Sequence, residues 1–237
     1  VMVRSLLGDD ALRRGLKKYF TAHQYGNAKG DDLWDALGEE SGMQIGEIMH
    51  SWLNQPGYPV VSANVIDGHL KLHQQQFFIG QGQDQGRLWK IPLNANYDAA
   101  PQIMDQADLD LGDYQELRAN NGQPFRLNVG NNSHFIVKYD ETLLNDILDH
   151  GELDNIAQLQ LLQDLRLLAE GREISYATLV PLLQRFSNSH SAIVNAALYQ
   201  IANSLKKFVI PGTALEDNLR QLFDQISKQQ VTRLGWQ

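Results

Sequence analysis

Apolar positions recur along this chain with a spacing that changes twice. From residue 1 to about 55 the spacing is helical. Leu12, Leu16, Tyr19 and Phe20 fall on one face, with Arg13, Arg14, Lys17 and Lys18 on the other and Asp9 and Asp10 at the positive end. Gly26-Asn27 interrupts the pattern. Asp31 or Asp32 is placed to cap a second helix bearing Leu33, Trp34 and Leu37, and Gly42 to end it. Ile45, Ile48, Met49, Trp52 and Leu53 mark a third helix, which Pro56, Gly57 and Pro59 stop.

From about 59 to 140 the spacing becomes two. Asp67-Gly68 between Val60–Ile66 and His69–Gln76 predicts a hairpin. Trp89, Ile91 and Leu93 alternate, Leu109 and Leu111 more weakly. Phe125, Leu127 and Val129, then Gly130-Asn131-Asn132, then Phe135, Val137 and Tyr139 predict a second hairpin. Short strands with Gly- and Asn-rich turns point to a small antiparallel β-sandwich.

Beyond Asp140 the helical spacing returns. Leu143, Leu144, Ile147 and Leu148 precede Gly151. Asp154 should cap a helix carrying Ile156, Leu159, Leu162 and Leu165, closed by Gly171, and Ser175 should cap the next, with Leu179, Leu183 and an internal Pro181. Ala197, Ile201, Leu205 and Phe208 line another. Pro211-Gly212-Thr213 resets the chain before Leu215, Leu219, Leu222 and Ile226, and Leu234-Gly235-Trp236 opens a further segment. About five antiparallel helices with short loops suggest a repeat-like array. The predicted architecture is α+β and multi-domain: a short helical subdomain over 1–57, a β-sandwich over 58–140 and an α-helical array over 141–237.

With 43% hydrophobic residues the chain can fill a sizeable core. Its net charge of −8 argues against nucleic acid as a partner, because phosphate contacts need clustered Lys and Arg. The absence of cysteine excludes disulfides and thiolate metal sites and accords with a cytoplasmic origin. No apolar run reaches membrane-spanning length, so no membrane association is expected. The opening VMVRSLLG is an apolar helical pattern with no cap before it, so the chain is expected to be a truncated piece.

Candidate chemistry is sparse. His23, His50, His69, His73, His134, His150 and His190 include no H-E-x-x-H, and His69 and His73 sit in a strand pattern, as surface residues of a sheet. Gly80, Gly82 and Gly86 in GQGQDQG precede a strand rather than a helix, so a hairpin loop is expected and no dinucleotide site. No G-x-S-x-G is present. Asp9-Asp10 and Asp31-Asp32 stand at helix starts, where carboxylates favour the macrodipole. Sequence neighbours such as Glu39-Glu40 point in different directions on a helix, which suits catalytic pairing poorly. The cluster Arg13, Arg14, Lys17 and Lys18 reads as a solvated face, and Trp34, Trp52, Trp89 and Trp236 as core.

One stretch carries more. Leu6 to Val61 contains LWDAL, a Trp on a later helix, and the exit GYPVV, in an order and spacing that resemble the helical end of the catalytic domain in the aminopeptidase N family of zinc metallopeptidases. LWKIPL at Leu88–Leu93, the pair FRLNVG and HFIVKYD between Phe125 and Asp140, and QLLQDLRLLAEGREISY from Gln160 to Tyr176 are similar to later family segments. Where the family usually has an Arg before the Val of the last strand, this chain has Ile136 before Val137, so no role of that Arg carries over.

The resemblance implies a parent enzyme that removes N-terminal amino acids from peptides. In such enzymes zinc is held by H-E-x-x-H and a later Glu, the motif Glu activates a zinc-bound water, and a Tyr stabilises the oxyanion. None of these motifs is in this chain. The expected site assignment is therefore no catalytic, no cofactor-binding and no metal residue, with zinc belonging to the parent enzyme. The chain would supply the spacer sandwich and part of a helical bowl, be inactive alone, and self-associate through apolar surface left uncovered. A non-enzymatic interaction module with a concave helical face is the competing expectation.

Overall fold

The computed structural model describes residues 1–235. They form two compact units: Val1–Phe77 with Gln83–Leu143, and Phe78–Gly82 with Leu144 onward.

The first unit opens with three helices, α1 (Met2–Ala22), α2 (Gly30–Ser41) and α3 (Ile45–Leu53). Gly8 interrupts α1 with φ 75°, ψ 166°, a conformation closed to most L side chains, so Asp9 and Asp10 do stand at the start of its longer second half. The second helix begins just ahead of the expected caps. Asp32 sits in its first turn and accepts the Lys29 N–H at 2.7 Å. Gly42 ends it in the left-handed conformation, as expected. Contact between α1 and α2 is close because Gly15 has no Cβ; one placed there would meet Leu37 Cδ2 at 2.6 Å and Leu37 Cα at 3.0 Å. Leu6, Leu37, Ile45 and Ile48 form the core of this helical part, with Trp34 and Trp52 packed against it. Phe20, read as part of the apolar stripe, is exposed.

Six strands follow: β1 (Pro59–Ile66), β2 (His69–Gln76), β3 (Ile91–Pro92), β4 (Ile103–Met104), β5 (Asp108–Asp113) and β6 (Ile136–Tyr139). A four-stranded sheet runs β5-β2-β1-β6, and β3-β4 make a second, two-stranded sheet. The first hairpin forms as predicted. Asp67 and Gly68 both have positive φ, 53° and 82°, the signature of a type I′ turn whose twist matches the flanking strands. Val61, Ala63, Leu70 and Leu72 share one core with Trp89, Ile91, Leu93, Phe125 and Leu127, so the inward alternation read from 59–93 holds.

The second hairpin does not form. Residues 125–129 pair irregularly with Leu93 and its neighbours, through Asn128 N–H to Leu93 O at 2.8 Å and Asn96 N–H to Arg126 O at 3.1 Å. β6 lies instead beside β1, in parallel, with Val61 opposite Val137. The sheet is mixed for that reason: its other two ladders are antiparallel, as expected. A further helix, α4 (Tyr114–Asn121), interrupts the β region. Asp113 caps it by accepting the Glu116 N–H at 2.9 Å, and Tyr114 is buried in the core.

Asp140 ends β6 and starts α5 (Glu141–His150): one carboxylate oxygen accepts the Val65 N–H at 2.6 Å and the other the Leu143 N–H at 2.8 Å. The second unit continues with α6 (Asn155–Glu170), α7 (Tyr176–Gln184), α8 (Ala192–Leu205), a single 3₁₀ turn (Lys206–Phe208) and α9 (Ala214–Leu234). The expected caps Asp154 and Ser175 accept the N–H groups of Ala157 and Thr178. Leu162, Leu165, Leu179, Leu183, Leu198, Ile201, Leu219, Leu222 and Ile226 are buried. Pro181 sits inside α7. Trp236 and the Phe208 side chain, both expected on apolar stripes, lie outside the described residues. Among the described residues no helix is long and apolar enough to cross a membrane.

Candidate functional site

Histidines and carboxylates are the groups in this chain able to hold a metal or move a proton near neutrality. Five of the seven histidines face an aspartate. His23 Nε2 lies 3.9 Å from Asp32 between α1 and α2, and His50 Nε2 lies 2.7 Å from Asp31 between α2 and α3. On the sheet, His69 Nδ1 lies 3.0 Å from Asp110 and His73 Nδ1 2.8 Å from Asp108, both across the β2–β5 ladder. His150 and Asp146 pair within α5 at 3.0 Å. His134 is exposed and lies tilted against the rings of Trp52 and Tyr58. These groups are dispersed. Among the described residues no three His, Cys, Asp or Glu side chains converge on one point. A zinc ion needs three or four ligands, so this donor set does not fit one.

The pattern of the sequence places His69 and His73 on a sheet surface. The structure gives each a carboxylate. The signal was the alternation in HLKLH and DLDLGD, but which residues oppose each other depends on the register between two distant segments.

The charged clusters turn into local pairs. Arg4 grips Asp9 with two bonds of 2.6 and 3.0 Å, which holds the Asp9 carboxyl below the usual carboxylate range. Arg14 pairs with Glu40 at 3.1 Å and Lys18 with Glu39, so much of the basic cluster zips α1 to the Glu39-Glu40 end of α2. Glu216 is held below its ordinary range, first by the backbone N–H of Gly212 and then by Arg220. GQGQDQG forms an exposed loop in which Gly80 and Gly86 have positive φ and the Asp84 carboxylate accepts the Gly86 N–H.

Three of the four tryptophans can be placed. Trp89 is fully buried. Trp52 is partly buried and donates through Nε1 to Lys90 O at 3.0 Å, while Lys90 N–H donates to Ser51 Oγ at 3.0 Å. These bonds seat α3 on the strand segment 88–93. Trp34 lines a shallow groove of about 650 Å³ with Asp35, Glu39, Met43 and His50. In the helical unit Tyr199, Lys206, Leu219 and Phe223 line another, of about 560 Å³. Neither groove gathers a nucleophile, a general base and an oxyanion donor within reach of one another.

Residues 1–52 match the model of the peptidase family M1 domain, and residues 125–237 match that of the ERAP1-like C-terminal domain. Over 237 residues the chain is 63% identical to Aminopeptidase N of Lactobacillus delbrueckii subsp. lactis, covering 100% of this chain and 28% of that protein. Identity to Aminopeptidase N of Lactobacillus helveticus is 64% over 239 residues, with the same coverage. Aminopeptidase M1-B of Oryza sativa subsp. japonica is 29% identical over 250 residues, covering 99% of this chain and 28% of the relative. The chain thus spans little more than a quarter of the length of these relatives.

Proposed function

We propose that this chain belongs to the aminopeptidase N family and supplies the non-catalytic architecture of a zinc aminopeptidase that removes N-terminal residues from peptides. Residues 1–57 complete the helical half of the catalytic domain, 58–140 form a spacer, and 141–237 begin the helical wall over the active site. The observation that carries this reading is the full-length identity of 63% to an aminopeptidase N of which the chain represents 28%. The order of the two family matches supports it, M1 domain first and C-terminal domain second.

Zinc belongs to the same proposal as the parent enzyme's cofactor. The dispersed His–Asp pairs of this chain do not fit it, and no residue of the chain is given a catalytic role. The purified chain, supplied with zinc and an amino-acid anilide, is expected to show no turnover above the zinc-only blank. Turnover that a chelator abolishes would overturn the assignment.

A cytoplasmic location and peptides as the parent enzyme's substrate are part of this reading. Self-association is its last element, motivated by the exposed apolar side chains Phe20, Leu53, Ile193 and Ile210. Light scattering after size exclusion should give a mass above that of one chain at high concentration; a clean monomer removes it.

A further inference from the structure

Among the chain's asparagines, only Asn121 is followed by glycine. The Asn121-Gly122 pair ends α4, and residues 119–123 around it are all exposed. Gly122 is left-handed, with φ 78°, and a Cβ there would meet nothing within 4 Å, so the surroundings of the pair are open. Two bonds hold this end of the helix. Gly122 N–H donates to Arg118 O at 3.0 Å, and Asn121 Nδ2 donates to Asn96 O at 2.9 Å. The last turn carries Asn120 and Asn121, poor helix formers at a terminus that frays, so it opens without unfolding the rest. Asn96 is itself a bracket of the irregular sandwich. It donates through Nδ2 to Pro124 O and meets Arg126 twice, through backbone and side chain.

We propose that Asn121 is a site of spontaneous deamidation, and that the modification releases the Asn96 bracket in one direction only. The Gly122 backbone nitrogen attacks Asn121 Cγ. A nitrogen–carbon bond forms, the Cγ–Nδ2 bond breaks, and the side-chain nitrogen leaves as ammonia with the proton of the Gly122 N–H. Water then opens the cyclic imide. Opening at the Cγ carbonyl gives aspartate, and opening at the backbone carbonyl gives isoaspartate. No co-reactant besides water is consumed. Glycine matters because a side chain on the attacking residue obstructs ring closure. Asn132, Asn188 and Asn203 precede serine, and Asn131 precedes Asn132. Either product removes the N–H donor that holds Asn96 O and sets a negative charge at a helix C-terminus, where the macrodipole disfavours it. Segment 94–97 is loosened as a result.

Peptide mapping of the full chain, incubated folded in mildly alkaline buffer, tests the site. Aspartate and isoaspartate are expected at Asn121 ahead of every other asparagine. Gly122→Ala, for which there is room, should suppress the conversion. Native-state hydrogen exchange on Asn121→Asp tests the consequence. The opening constant of segment 94–97 should rise about 2- to 10-fold, the size that losing one hydrogen bond allows, while β1 and β2 stay unchanged. The wild-type map needs no variant, so it decides the site even where Gly122→Ala folds poorly. An Asn121 that stays intact, conversion as fast in folded Gly122→Ala as in wild type, or unchanged exchange of 94–97 in Asn121→Asp overturns the proposal.

Discussion

The sheet-containing unit and the helical unit satisfy their buried backbone in different ways. Across α6 to α9 the backbone-to-backbone hydrogen bonds stay local, the Gln184 side chain reaches across to Asn218 O at 3.4 Å, and the starts of α6, α7 and α8 are closed by Asp154, Ser175 and Ser191. In the other unit the chain from 83 to 135 has little regular ladder, and buried or partly buried carboxamides take its place. Gln74, 2% exposed, accepts the Trp89 N–H at 2.9 Å and donates to Trp89 O and Gln106 O. Asn128 accepts from Ser133 N–H and donates to Ser133 O. Asn96 does the same for Arg126 and Pro124. An irregular sandwich thus concentrates its stability in a few polar side chains, whereas the helical unit spreads it over many leucines.

If that contrast is right, the largest loss of stability should come from Gln74→Leu. It strands one buried N–H and weakens two carbonyl contacts, for a cost of about 3–5 kcal/mol. Urea denaturation followed by exchange in 59–76 measures it, and a cost under about 1 kcal/mol would break the comparison. In the helical unit Leu198→Ala should cost about 2–4 kcal/mol by leaving a cavity. Its effect should appear in exchange of α8 and α9 and leave β1 and β2 unchanged; equal loosening of both would show the units are not independent. Smaller still, Asp154→Ala and Ser175→Ala each remove one cap, worth about 1 kcal/mol, and should fray only the first turns of α6 and α7.

The smallest effect is acid-dependent. The His69 hydrogen bond, with the Gly112 N–H, lowers the Asp110 carboxyl below its usual range. A depressed carboxylate stabilises the fold above its unfolded pKa and loses that contribution as pH falls through the folded one. Asp110→Asn should therefore weaken β5 protection above about pH 4, with the difference from wild type vanishing as Asp110 protonates in the wild type. A difference that grows on acidification would reverse the sign.

Much of this molecule could be read from its residues alone. The change of period at about 59 and again at 140, the Asp67-Gly68 turn, the caps at Asp154 and Ser175 and the Gly42 stop are all local. Each follows from backbone sterics or from one side chain reaching a nearby N–H, and each stands in the structure. Residues 113–122 were local too: Asp113 with Glu116 is a helix-start signal and Gly122 a stop, but the surrounding strand pattern outweighed them. The resemblance to the aminopeptidase N family was legible because ordered motifs survive in sequence whatever the packing.

Tertiary structure decided the rest. Strands with the same period of two can pair parallel or antiparallel, and nothing within FRLNVG or HFIVKYD says that the second will lie along β1, more than 70 residues earlier, instead of folding back on the first. The same holds for the imidazoles. His69 and His73 acquire Asp110 and Asp108 only through the register of β2 against β5, and Gln74 becomes a structural bridge only when Trp89 and Gln106 converge on it. Such partners are chosen by which long-range arrangement buries the most apolar surface while leaving no backbone group unsatisfied, a condition on the whole fold that no short stretch of residues contains.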